Sequence, residues 1–99
     1  MFKLFAYGTL NDPSVQERLF GRVITGAADT LDGYHTDSVT TDGETYLAAV
    51  PRAGASIEGR VLDFTFGDLA AADAYEGEEY DRVTVRLRSG VEAWTYVKK

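Results

Sequence analysis

Ninety-nine residues with 16 acidic and 10 basic side chains, a net charge of −6, set the frame for this chain. At this length one domain with one small core is expected, and the acidic balance disfavours nucleic acid, whose affinity comes from neutralised phosphates. There is no cysteine, which excludes disulfides and thiol nucleophiles.

In chain order, Phe2 to Tyr7 reads as a buried strand, an aromatic-rich apolar run bounded by Gly8. Asn11-Asp12-Pro13 then starts a helix with Pro13 at its first position; Val15, Leu19 and Phe20 form its apolar face and Gly21 ends it. Strands are expected from Arg22 to Ala28 and from Leu31 to Asp37, the second bent at Gly33. Thr41-Asp42-Gly43 turns the chain into a strand from Glu44 to Val50, Pro51 to Ser56 reads as a loop, and Ile57 to Phe66 alternates as a strand. A short helix follows from Gly67 to Tyr75, with Asp68 as N-cap and Gly77 as the αL residue that ends it. Val83, Val85 and Leu87 face one way and Arg82, Thr84 and Arg86 the other, before Ser89-Gly90 turns into a last strand from Val91 to Val97. Seven short strands and two short helices in so small an α+β domain need covered or closed edges, which favours a small curled sheet or barrel. No linker or repeat divides residues 1–99, so a single continuous domain is expected.

Two segments carry candidate chemistry. In Phe5-Ala6-Tyr7-Gly8-Thr9-Leu10, a glycine at a strand-to-helix junction lets bare backbone approach a ligand; equally, it can simply close the strand. In Tyr75-Glu76-Gly77-Glu78-Glu79-Tyr80-Asp81-Arg82, Glu76 follows Leu69 and Ala72 at helical spacing, so its carboxylate projects from the apolar face. A glutamate there is costly unless protonated, paired or used. The alternative is a helix that frays before Gly77 and leaves Glu76 in water.

Together these segments resemble the gamma-glutamylcyclotransferase-like family. Its first pattern, Y-G-[ST]-L after an opening strand, is complete at Tyr7, Gly8, Thr9 and Leu10. Its second, L-D-x-[YF]-E-G-x-x-Y-x-R-x-x-V, is matched by Asp73, Tyr75, Glu76, Gly77, Tyr80, Arg82 and Val85, with Ala72 in place of the leucine. Gly33-Tyr34 and Val61 after Gly59 resemble further family positions, while Tyr46-Leu47-Ala48 lacks a proline often found there. The resemblance implies a mixed β-barrel whose pocket is lined by the Tyr7–Leu10 turn and Glu76. It also implies cyclisation of a γ-glutamyl amide to 5-oxoproline with release of an amine. Glu76 would be the general acid and base, and the amides of Gly8, Thr9 and Leu10 would hold the γ-glutamyl group. Tyr7 and Tyr80 are candidates to close the pocket or bond substrate, or are aromatic core residues. Tyr96 is a further, weaker candidate of that kind. Arg82 is a candidate for a substrate carboxylate or for a surface pair with Asp81 or Glu79. A non-catalytic binding module and an interaction protein are the competing readings.

Other motifs fail. Gly54-x-x-x-x-Gly59-Arg60 has the spacing of a phosphate loop, but an arginine replaces its lysine and a strand follows. His35 is the single histidine, which rules out a multi-histidine zinc site, and no cofactor is expected. No apolar run approaches the ~20 residues that cross a bilayer. Met1 to Ala6 is too short for a signal peptide. A cytoplasmic location, no membrane partner, and a monomer or weak homodimer are the expectations.

Overall fold

The computed structural model describes the backbone of residues 1–99 and every side chain except that of Thr41. Five strands and two α-helices are arranged in the order β1 (Phe2–Ala6), α1 (Pro13–Phe20), β2 (Ala27–Thr41), β3 (Glu44–Phe64), α2 (Phe66–Glu76), β4 (Tyr80–Arg86) and β5 (Glu92–Lys98). Short 3-10 turns at Thr9–Asn11 and Gly77–Glu79 follow β1 and α2. The sheet runs β2-β3-β1-β5-β4 and curls into a mixed half-barrel: β1 is antiparallel to β3 and parallel to β5.

The expected seven strands are five: the strand expected from Leu31 runs from Ala27 to Thr41 with its expected bend at Gly33, and the strands expected at Glu44–Val50 and Ile57–Phe66 are one, bent after Pro51 where local reading ends it. β2 and β3 pair from Ala27↔Val61 to Thr41↔Glu44, and the register jumps from Asp32↔Ser56 to Tyr34↔Pro51. Gly33, at φ +85°, and residues 52–55 form a bulge there, so the expected loop at Pro51–Ser56 is a corner inside β3. Residues 22–26 are not a strand; only Ala27 and Ala28 of the expected Arg22–Ala28 segment join the ladder. Bending gives β3 two neighbours. Its second half pairs with β1 through Ala6↔Arg60, and its first half meets β5 at Ala49↔Val97, beyond the end of β1.

β1 is buried on both faces. Leu4 and Ala6 pack with Leu62, Phe64, Leu69 and Ala72 beneath α2, whereas Phe5 points the other way among Leu31, Ala49, Ile57 and Ala93. Gly59 permits the β1–β3 crossing: a Cβ there would sit 2.5 Å from the Ala6 carbonyl oxygen and 2.7 Å from the Phe5 ring.

Both helices carry the caps that their ends require. Asp12 accepts from the Ser14 amide at 2.8 Å, Pro13 opens α1, and Gly21 closes it in the αL conformation. In α2 the N-cap is Thr65, not Asp68. Thr65 Oγ1 accepts from the Asp68 amide at 3.1 Å while Asp68 Oδ2 accepts from the Thr65 amide at 2.8 Å, a reciprocal capping box that starts the helix earlier than expected. Gly77 takes φ +73° with ψ −162°, so it ends the helix outside αL but still in a conformation suited to glycine.

Candidate active site

Where β1 leaves the sheet, β3 and β5 close directly on one another, and the chain swings out through Gly8 into the 3-10 turn. Asn11 fixes this exit by donating to the Ala6 carbonyl at 2.7 Å. Buried Gln16 secures the turn from behind: its Nε2 donates to the Leu10 carbonyl at 2.9 Å and its Oε1 accepts from the Ile24 amide at 2.8 Å. A cavity of about 310 Å³ opens at the bend, lined by the Phe5–Leu10 segment together with Tyr46, Leu47, Glu76, Tyr80 and Tyr96. The amides of Thr9 and Leu10 precede the first bond of the turn, from Asn11 N–H to the Gly8 carbonyl, and so are left for other acceptors. Gly8 lines the cavity, and a Cβ added to it would meet no protein atom within 4 Å. The space a side chain would fill is open beside the backbone.

Glu76 stands on the last turn of α2, one face with buried Leu69 and Ala72, and reaches the same cavity. The helix does not fray before Gly77. The carboxyl is half-buried and, among the described residues, has no hydrogen bond or ion pair. Burial alone pushes its pKa up from 4.5 to about 7. It lies within electrostatic reach of the hydroxyls of Tyr7, Tyr80 and Tyr96.

The tyrosines are committed to the protein. Tyr7 donates to the Tyr96 carbonyl at 2.5 Å and accepts from the Ala49 amide at 2.9 Å, bridging β5 and β3; burial raises its pKa. Tyr80 donates to the Leu47 carbonyl at 2.9 Å, and burial lifts its hydroxyl to about 12. Tyr96 donates to Asp73 at 2.7 Å, and burial, with that bond, raises its pKa. Their rings, not free hydroxyls, form the cavity walls.

Of the sequence candidates, Tyr7, Gly8, Thr9, Leu10, Glu76 and Tyr80 converge on one cavity; Arg82 does not line it. Its Nε donates to Asp73 at 2.8 Å and its guanidinium lies 4.3 Å from the Trp94 ring centroid, so Asp73 on α2 is a carboxylate partner that the sequence reading does not name. Arg86 and Arg88 are likewise paired, with Glu92 and Asp32. Tyr46 and Leu47 line the cavity without being sequence candidates. They are adjacent in a strand, so alternation does not distinguish them; the curl of β3 brings both to the cavity.

A family model described as "Gamma-glutamyl cyclotransferase, AIG2-like" matches residues 4–99. Curated relatives include AIG2-like protein C of Arabidopsis thaliana, 33% identical over 87% of this chain and 49% of the relative. AIG2-like protein A of the same organism is 34% identical over 88% of this chain and 52% of the relative. The chain therefore spans about half the length of these curated relatives. A solution structure from Arabidopsis thaliana superposes with a TM-score of 0.83 at 28% identity, covering 98% of this chain and 68% of that one. A solved gamma-glutamyl cyclotransferase superposes equally well, with a TM-score of 0.83 over 99% of this chain and 66% of that one; at 16% identity this likeness concerns the fold. The motifs, the half-barrel and the match over residues 4–99 lead to one assignment: the chain belongs to the gamma-glutamyl cyclotransferase, AIG2-like family.

Proposed function

We propose that the protein cyclises γ-glutamyl amides, releasing 5-oxoproline and an amine, with Glu76 as the proton carrier. One observation carries this reading: a half-buried carboxyl with no protein partner and a pKa near 7 faces the cavity formed at the Gly8–Leu10 bend. A purely structural glutamate at that depth would be paired. A group that must accept a proton and then give it back works best with its pKa near ambient pH.

In the proposed cycle the γ-glutamyl group lies along the bend, its oxygens facing the amides of Thr9 and Leu10. Ionised Glu76 takes a proton from the α-ammonium, and the freed amine attacks the side-chain carbonyl carbon. A five-membered ring forms as the new C–N bond is made. The bend amides stabilise the developing oxyanion, an effect worth about 3 kcal/mol per donor. Glu76 then protonates the departing nitrogen as the old amide C–N bond breaks. The second proton shed by the α-ammonium ends on the released amine, which leaves as ammonium, so no net proton is consumed. Holding the nucleophile in its ring-closing conformer is the largest contribution, up to about 7–11 kcal/mol.

The test is turnover of a panel of γ-glutamyl amides by wild type and Glu76→Gln. Glutamine keeps the shape and abolishes proton transfer, so kcat falls at least about 100-fold while substrate affinity changes little. A fully active glutamine variant rejects the role. Tight binding of the amides with no ring-closed product from wild type identifies a γ-glutamyl binding protein instead.

A further inference from the structure

A row of hydrogen bonds runs from the interior of the protein to the Thr9 amide at the bend. The Ile24 amide donates to Gln16 Oε1 at 2.8 Å, and Gln16 Nε2 donates to the Leu10 carbonyl at 2.9 Å. That carbonyl shares a peptide unit with the Asn11 N–H, which donates to the Gly8 carbonyl at 3.0 Å. The Gly8 carbonyl in turn shares a peptide unit with the Thr9 N–H. A trans peptide is planar, with its C=O and N–H pointing opposite ways, so each bond fixes the aim of the next donor. The last donor in the row is the Thr9 N–H, beside the cavity that Gly8, Thr9 and Leu10 line.

Bonds in such a row also reinforce one another. A carbonyl that accepts a proton draws charge from its own amide nitrogen and makes that N–H a better donor, by about 10–30% per bond. Gln16 heads the row from α1 and is only 2% exposed. Glutamine is seldom buried so fully, because both halves of its carboxamide lose water. Here both halves are used, one to accept from Ile24 and one to pull on Leu10. An apolar side chain on the same face of α1 would fill the space without that demand; the carboxamide adds its grip on the bend. Gln16 itself does not line the cavity.

Resting on the cyclisation reading, we propose that Gln16 is a positioning residue for the reaction: through the Leu10 and Gly8 carbonyls it aims and strengthens the Thr9 N–H as a donor to the developing oxyanion.

Gln16→Met, close in volume, keeps the packing and breaks the row at its head. At a temperature where circular dichroism shows both proteins fully folded, kcat for γ-glutamyl amides should fall at least about 5-fold, short of the 10²–10³-fold that follows outright loss of an oxyanion donor, with KM within about twofold. The pH dependence of kcat should not move, because the donor is altered and the base is not. An unchanged kcat with only a lower melting temperature makes Gln16 a structural residue and overturns the proposal; a fall in kcat with a displaced pH profile traces to Glu76 and overturns it too. Wild type alone gives a second test. Nitrogen–carbon scalar couplings across hydrogen bonds should join Gln16 Nε2 to the Leu10 carbonyl carbon and the Asn11 nitrogen to the Gly8 carbonyl carbon, and their absence overturns the proposal even if Gln16→Met does not fold. If wild type turns over no γ-glutamyl amide, cyclisation fails, and the Thr9 amide proton decides the rest: an upfield shift in Gln16→Met supports control of this donor by Gln16, and an unchanged shift overturns it.

Discussion

Glu76 connects ionisation to stability as well as to the proposed chemistry. Its folded-state pKa, near 7, lies above the unfolded value of 4.5, so between those pH values the native state holds the proton more tightly. Stability is then highest below about pH 4.5 as far as this group is concerned, and declines as pH rises towards 7. The full shift corresponds to about 3 kcal/mol; water at the cavity mouth reduces the expected loss to about 1–2 kcal/mol. Glu76→Gln, neutral at every pH, escapes this loss. Denaturant melts at pH 5 and pH 8 should show the glutamine variant gaining on wild type by about that amount at the higher pH. The same ionisation should set the acid limb of turnover: kcat rises with pH through about 7 in wild type and has no such limb in the variant. A flat difference between the two melts would mean that the carboxyl is fully hydrated.

Helix α2 is the element that delivers this carboxyl, and its two ends explain why the sequence revealed one part better than another. The C-terminal end was legible: Leu69, Ala72 and Glu76 share a face, and Gly77 stops the helix immediately after Glu76. The N-terminal end was not, because Asp68 qualifies by residue type as a cap, whereas Thr65 three residues earlier completes the reciprocal pair. Asp68 does more than cap. Its buried carboxylate also receives the Arg22 guanidinium at 2.6 and 3.0 Å, and this bond, with the capping bonds, holds its pKa below the usual range. The interaction clamps α2 to the segment after α1, a contact between residues 46 apart that no local pattern signals. Asp68→Asn should therefore cost about 1–3 kcal/mol, through loss of the charge-assisted bonds and a weakened cap. Thr65→Ala, which removes the cap alone, should cost about 1 kcal/mol. Because folded Asp68 has a depressed pKa, the wild-type advantage over the asparagine variant should disappear as pH falls below the ordinary carboxylate value of 3.8. Chemical denaturation at pH 7 and pH 3 checks both the size and the sign.

Across the whole molecule, the site exists because the curled sheet closes at the point where β1 departs. Local reading captured the ingredients, the Gly8 bend and Glu76, and the bend at Gly33, but split β3 at Pro51. It therefore missed the single bent strand that carries Tyr46 and Leu47 to the cavity. Curvature is set by long-range pairing, with β3 held by β1 at one end and by β5 at the other, and a bend of that kind leaves no period in the sequence. Tyr7 locks the closure, its hydroxyl joining the Tyr96 carbonyl on β5 to the Ala49 amide on β3. This makes two roles for Tyr7 separable. As a strut, its loss in Tyr7→Phe leaves a part-buried amide and carbonyl without their partner and should cost about 1–3 kcal/mol of stability, with KM changed less than about threefold because the ring still lines the cavity. As a substrate ligand, the same change would raise KM markedly and leave the melting temperature nearly intact. Thermal unfolding and steady-state kinetics on this one variant distinguish the two. The two bonds already made by the hydroxyl favour the first outcome: a group that donates to one strand and accepts from another has no proton left to offer a ligand.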